Sequence, residues 1–421
     1  MNMQIAELLE NSKTQYHAAA QAEKLLLGAG FKRLYESKKW NVERGGKYYV
    51  VRDGSAVIAF TAADCEFFKI AAAHTDSPCF KVKLGKNPQV AGCATLNVEK
   101  YGGGLLYTWF DRPLKLCGRL CGVKNGKTEV KLFESEQKFV IPSVAIHFRR
   151  NANDGFAVNP QIDCQPLFAL GGDGDELVKF VKNNFDGELL DADLYLISDE
   201  KPFFCGENGE FLCAPRVDNL TSCFGALNAL TSCKNDKGVS LAYLADNEEV
   251  GSRTKQGAGS PFLHDVLKRI ALSFGLNDEE FLRALAKSFL VSCDNAHAEH
   301  PCHPEYADKS STSRMGGGVV IKHHGNCNYT TDGVSSAIFK NVLESQNVPY
   351  CDFYMRSDLP CGGTLGAISS SQVAIKSVDI GLAQLAMHSS CETFALKDYS
   401  AIINGIKAFY ENYDFSSLKE L

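Results

Sequence analysis

At 421 residues the chain is long enough for a large hydrophobic core and for two domains. A net charge of −6, with 45% hydrophobic and 22% charged residues, excludes the basic footprint of a nucleic-acid binder and any disordered class. It leaves acidic small substrates open, because one local Lys or His can hold them. No run approaches the roughly twenty apolar residues of a membrane span. The start, Met1-Asn-Met-Gln-Ile-Ala-Glu-Leu-Leu-Glu10, has neither a basic segment nor an apolar stretch with a cleavage site, so no signal peptide is expected and the expected compartment is the cytoplasm. Sixteen scattered cysteines without a Cys-x-x-Cys fit buried, reduced thiols.

In chain order, residues 4–28 show helical spacing through Ile5, Leu8, Ala18, Ala22, Leu25 and Leu26, with Gly28 and Gly30 as the stop. Tyr48 to Phe60 reads as a hairpin turning at Asp53-Gly54. The apolar run from Phe68 follows and ends at His74 and Asp76. From about Phe80 to Lys201 the texture becomes short and alternating, broken by Gly102-Gly-Gly104 and Asn125-Gly126, as in antiparallel sheet, and Ile141–Phe148, which carries His147, reads as an apolar strand within it. Strand–helix alternation resumes with a helix over 220–230 and an apolar strand running into Asp246, Glu248 and Glu249. Helices are expected at 261–274 and 278–287, a strand ending at Asp294, a strand over 318–322, a helix over 333–344, a run from Val378 to His388, and a closing helix over 399–413. The fold expected is α/β: a discontinuous α/β domain (1–80 and 210–421) with an inserted β-rich domain (81–209).

Three apolar strands stop at residue types that bind metals. Ligands in α/β proteins bind at the carboxyl ends of strands, and adjacent carboxylates beside a buried strand need a cation or a shared proton. His74, Asp76, Asp218, Glu248, Glu249, Asp294 and His388 are therefore candidates for one site. Two histidines and several carboxylates without cysteine suit zinc, with cobalt or manganese as substitutes. A pair of metals needs a shared carboxylate between terminal ligands. The His74-x-Asp76 spacing lets the Asp take the second ring nitrogen, and one of Glu248 and Glu249 can bind metal while the other acts as general base. Singly, each has a plainer account: Asp218 as a helix cap, Asp294 in an Asx turn, His388 as a hydrogen-bonded structural histidine. His297, His300 and His303 are a competing metal tract just beyond Asp294, but packed with Pro301 and Pro304 in a loop they read more as substrate-side or outer groups.

The stretches Ala73-His-Thr-Asp-Ser-Pro78, Arg216-Val-Asp-Asn-Leu220, Asp246-Asn-Glu-Glu-Val-Gly-Ser252, Ser292-Cys-Asp-Asn-Ala-His297, Asp358-Leu-Pro-Cys-Gly-Gly-Thr364 and Gln384-Leu-Ala-Met-His-Ser389 resemble the signatures of aspartyl aminopeptidases, the M18 metallopeptidases. They occur in family order over essentially the whole chain. The resemblance implies two zinc ions per subunit bridged by Asp218. His74 and Asp294 would complete one, Glu249 and His388 the other. Glu248 would be the catalytic base, and Asp76 would orient His74. It also implies a zinc-peptidase-like α/β/α catalytic domain whose β-rich insert serves dimerisation, peptides with N-terminal Asp or Glu as substrates, a homo-oligomer of dimers assembled into a dodecamer, and substrate contacts from Lys322, Tyr329 and, from a neighbouring subunit, His147; His297 joins the substrate-side candidates from its own loop. A broad-specificity aminopeptidase or deacylase of the same fold, or a non-catalytic assembly or cargo-type protein, are the alternatives.

Overall fold

The computed structural model describes residues 2–415. Its centre is a nine-stranded mixed sheet in the order 32–33, 46–52, 56–62, 239–245, 68–74, 289–293, 376–381, 319–323 and 350–354. The strand Phe68–His74 lies in the middle and is fully buried, as a near-continuous apolar run should be when both faces of a sheet are covered. It pairs in parallel with Val239–Ala245 on one side and Phe289–Cys293 on the other. The three runs that end in candidate ligands are therefore neighbours pointing the same way, so their carboxyl ends converge.

Helices cover both faces of this sheet. On one face Val217–Ser232 and Leu396–Asn412 pack with the N-terminal helices over Ala71, Ala73 and Val291. On the other Phe262–Ser273, Asp278–Ala286 and Leu365–Gln372 pack over Ile70, Ala72 and Leu290. Each fully buried Leu, Ile or Phe in these layers contributes roughly 1.5–3 kcal/mol. The expected hairpin is present: Arg52 pairs with Ala56 across Asp53, Gly54 and Ser55, and Asp53 and Gly54 both take positive φ (55° and 72°).

The alternating middle of the chain builds a second sheet. Strands 127–134, 114–124, 188–198, 79–82 and 98–101 form five antiparallel neighbours in that order. They have their own core around Phe80, Trp109, Leu116 and Leu194. A small third sheet joins 203–205, 211–214, 392–395, 383–385 and 296–297.

Two expectations are corrected. The helix expected over 4–28 is two helices, Asn2–Asn11 and Gln15–Gly28. The break at Ser12–Thr14 is held from outside: the Arg216 guanidinium takes the Leu9 and Ser12 carbonyls, and Lys13 turns inward toward Asp199 at 3.5 Å. The run expected from Val378 to His388 is divided between sheets. Lys376–Gly381 belongs to the large sheet and Ala383–Leu385 to the third, so His388 is reached through a turn rather than at a strand end. The strand Tyr350–Tyr354 and the helix Leu365–Gln372 had no expectation.

Candidate active site

His74 ends the central strand, fully buried. Asp218 sits in the first, irregular turn of the helix Val217–Ser232, after Arg216 at φ 63°, and the Asp218–Asn219 peptide is cis. Glu248 and Glu249 follow Asn247, whose left-handed backbone (φ 59°) turns the chain as soon as the strand ends. Asparagine tolerates that conformation better than most side chains. Its amide is locked as well: Nδ2 donates to the Tyr101 hydroxyl at 2.7 Å, and Oδ1 accepts from Thr254 at 2.8 Å and Gln256 at 3.0 Å.

These elements bring seven of the expected residues together. His74 Nε2 lies 3.6 Å from Asp218 Oδ1 and 3.7 Å from Asp294 Oδ1. His388 Nε2 lies 3.3 Å from Asp218 Oδ2 and 3.4 Å from Glu249 Oε1. The two oxygens of Asp218 thus face two different histidines. Among the described residues three groups have all their ligand atoms within 4.8 Å of one another: His74–Asp218–Asp294, Asp218–Glu249–His388 and His74–Glu248–Glu249. Asp76 stands behind His74, its Oδ1 3.4 Å from Nδ1 and its carbonyl at 3.1 Å. The same carboxylate accepts the backbone N–H of Glu248 at 3.1 Å and of Glu249 at 3.2 Å, and the Tyr101 hydroxyl at 2.8 Å.

The electrostatics mark a site short of positive charge. Burial, then Asp294, Asp76 and Asp218, push Glu248 up to about 8 despite His74; burial, then Asp218 and Asp76, push Glu249 well above the carboxylate range despite His388 and His74. Burial disfavours the charged form of His388, but the hydrogen bond to Asp218 and the charge of Glu249 overcome it and hold the imidazole at about 10. His74 is raised in the same way by Asp294 and Asp76 against its burial. Asp218 Oδ1 is buried without a hydrogen-bond partner among the described residues. An orphaned carboxylate oxygen between imidazoles and further carboxylates is a donor set that fits zinc.

Lys322 borders this cluster. It is 2% exposed, donates to the Asn295 carbonyl at 3.3 Å and lies 3.9 Å from Asp294 Oδ2. Its ammonium stands 4.9 Å from the ring centre of buried Tyr329. It does not snorkel to solvent. His297 is exposed and lines a cavity of about 330 Å³ with His300, Phe353 and Arg356. The His300 and His303 rings lie tilted against each other with centroids 5.3 Å apart, and His303 faces Glu305. None of these three belongs to the metal-type groups.

His147 is placed apart. The strand expected over 141–148 does not form: Ile141 makes an isolated bridge to Phe110, and the chain then leaves the sheet. Pro142 lacks a donor, and a turn in which Phe148 N–H bonds the Ala145 carbonyl at 2.9 Å replaces it. His147 is exposed and makes no hydrogen bond or ion pair with the cluster among the described residues.

Several contributing residues escaped the sequence reading. Gly102–Gly104 reads there only as a breaker. Here Gly103 O accepts from or faces His388 Nδ1 at 3.1 Å, and a Cβ on Gly102 (φ 75°) would lie 3.1 Å from Glu249 Cβ. Tyr101 and Glu392 carry no spacing signal, because they act from other strands.

The family model described as "Aminopeptidase I zinc metalloprotease (M18)" matches residues 8–410. A relative from Clostridium novyi, "Probable M18 family aminopeptidase 2", is 40% identical over 428 residues, covering 98% of each chain. Its counterpart in Clostridium acetobutylicum is 38% identical, covering 96% of this chain and 97% of that one. Among solved structures, a chain in the cryo-EM structure of the Ape4 and Nbr1 complex is similar at TM-score 0.92 and 32% identity, over 97% of this chain and 85% of that one. Yeast aminopeptidase 1 (Ape1) is similar at TM-score 0.85 and 26% identity, over 97% and 95%. Fold and family model together define a zinc metallopeptidase. The chain belongs to the M18 aminopeptidase family, and the protein is a hydrolase of that family. Among the described residues no helix is long and apolar enough to cross a membrane.

Proposed function

We propose that the protein is a dizinc aminopeptidase that removes N-terminal Asp or Glu from peptides. The observation that carries this reading is Asp218, whose two oxygens each face a separate acid–histidine group. His74 and Asp294 with Asp218 would hold one zinc, and Glu249 and His388 with Asp218 the other. Cobalt or manganese are possible substitutes. When bound, zinc would supply Lewis acidity toward the scissile carbonyl and lower the pKa of the attacking water to about 7. Glu248 takes the proton of the attacking water and passes it to the leaving amine. Asp76 fixes the tautomer of His74 and, through the two backbone N–H groups it accepts, the direction in which Glu248 and Glu249 point. Zinc content and hydrolysis of Asp-, Glu-, Leu- and N-acetyl substrates, measured on one sample, test the reading. A preparation without zinc and without peptidase activity overturns it.

Lys322 is the proposed selector of acidic N-termini, with Tyr329 beneath it and His297 at the rim. Among the described residues the buried Lys322 ammonium has Asp294 and the Asn295 carbonyl as its polar partners, which leaves donor capacity for a substrate carboxylate. Lys322→Met is expected to reduce the preference for Asp over Leu substrates by about 1.5–3 kcal/mol, the range for losing a hydrogen bond to a charged group. The kcat/KM of both substrates decides it, and an equal change in both removes Lys322 from this role.

The division into a catalytic part (1–80, 210–421) and an inserted β-rich part (81–209) is proposed to serve assembly, as dimers building a dodecamer in the cytoplasm. An mApe1 structure is described as a dodecamer, and the cysteines here are unpaired thiols, as expected in a reducing compartment. Around His147 the turn exposes Val144, Ile146 and Phe148, the last 87% exposed, and apolar groups so placed seek a partner surface. His147 would then reach the site of a neighbouring subunit. Mixing His147→Phe subunits with Glu248→Gln subunits, each inactive alone, is expected to restore activity at interfaces that pair an intact His147 with an intact Glu248. No recovery in refolded mixtures shows that sites are not shared.

A further inference from the structure

We infer that Glu392 is a positioning residue that sets the Asp218 and His388 ligands together and thereby tunes zinc affinity. This rests on the assignment of those two residues as ligands. Glu392 begins the strand Glu392–Ala395, which pairs with Phe211–Ala214 so that Glu392 stands opposite Ala214, the residue from which the chain turns toward Asp218. The side chain is 1% exposed and lies on the protein side of the cluster, outside all three metal-type groups.

Its hydrogen bonds go to the backbone of the ligands. Oε2 accepts the Asp218 N–H at 3.0 Å. Oε1 accepts the His388 N–H at 2.6 Å and the Gln384 side-chain amide at 3.3 Å. Both ligand loops pass through left-handed backbone at residues other than glycine, Arg216 at φ 63° and His388 itself at φ 66°. Such conformations cost free energy and persist where surrounding contacts over-determine them. One carboxylate, bonded to both loops, supplies that restraint at the point where the loops meet.

The connection continues. Gln384 Oε1 accepts from Asn295 Nδ2 at 2.7 Å, and the Asn295 carbonyl accepts from Lys322 at 3.3 Å. Asn295 directly follows Asp294, so a buried polar chain from Glu392 to Lys322 runs behind ligands of both proposed zinc ions. A carboxylate is needed at its start because all three neighbours donate. An amide at position 392 would offer one acceptor oxygen and turn its NH₂ toward an N–H donor, leaving a buried donor unpaired.

The test is Glu392→Gln, read by competition for zinc against a chromophoric chelator, by kcat and KM, and by thermal unfolding. Expected is a 10- to 100-fold weaker affinity for the more loosely held zinc, the usual scale for an outer partner of a metal ligand. The fold should stay intact, and kcat should recover in part at excess zinc. Gln384→Leu, which removes one donor to Glu392 and cuts the link to Asn295, is expected to weaken zinc less and in the same direction; it decides the matter if Glu392→Gln does not fold. Unchanged zinc affinity in the folded variants overturns the inference. His388→Ala separates the two claims: if it also binds zinc like the parent, the ligand assignment fails, and if it loses zinc while Glu392→Gln and Gln384→Leu do not, only the role of Glu392 fails.

Discussion

Glu248→Gln is expected to lower kcat by about 10²–10⁴-fold, the usual loss for a general base, while both zinc ions are retained. Glu248 and Glu249 are adjacent, so the test lies in the contrast between them. Glu249 shares a group with Asp218 and His388, its Oε1 3.4 Å from His388 Nε2. Glu248 enters only the group with His74 and Glu249, and faces the charges of Asp294, Asp76 and Asp218. Held by burial at about 8 before any cation arrives, its carboxyl has the high proton affinity a base needs. Bound cations shift it back toward the ionised form that can accept a proton. Glutamine keeps the size and loses the acceptor for a proton. Glu249→Gln is expected to lose zinc as well as activity. If the metal contents are reversed, with Glu248→Gln losing an ion and Glu249→Gln keeping both, the two roles are exchanged.

Zinc removal is expected to abolish turnover and to lower stability by about 4 kcal/mol for each site held at a free zinc concentration 1,000 times its Kd. The cluster gathers the carboxylates of Asp76, Asp218, Glu248, Glu249 and Asp294 around two imidazoles, and a cation is what offsets their repulsion. Thermal unfolding with chelator, then with zinc restored, measures the loss. The pH dependence carries a sign that identifies the cause. In the metal-free chain Glu248 is raised from its ordinary 4.5 to about 8, so its contribution is fully present below pH 4.5 and is lost as pH rises through about 8. His388, raised from 6.5 to about 10, acts the same way in a higher window. Metal-free protein should therefore lose stability steadily from mildly acidic to alkaline pH, and zinc-loaded protein should show a flatter profile. Zinc binding near neutral pH should also release protons, measurable in weak buffer. A metal-free profile that rises over this range contradicts the shared-carboxylate account.

Much of the site was legible along the chain because a buried parallel strand leaves a plain mark. An apolar run that stops at His74, at Glu248 and Glu249 or at Asp294 reads the same in one dimension as in three, since the polar residue must leave the sheet where the run ends. The hairpin at Asp53-Gly54 was legible for a similar local reason, the left-handed turn those two residues accept. Residue types alone named zinc-like ligands. Which oxygen faces which imidazole was not legible, because it depends on the order of strands 239–245, 68–74 and 289–293, a matter of non-local pairing. The same limit explains the misread helix over 4–28. Its apolar spacing is continuous, and only Arg216, some two hundred positions away, ends the first helix by taking its carbonyls. It explains the division of 376–388, where two sheets compete for one apolar run. It also explains why the roles of Tyr101, Gly102 and Glu392 at the site went unseen. Each acts through a hydrogen bond or a close approach from another strand, and such contacts have no period in the sequence. Sequence by itself determined which chemistry the chain could hold; tertiary structure decided which atoms meet, because ligand geometry is set by pairings between strands far apart along the chain.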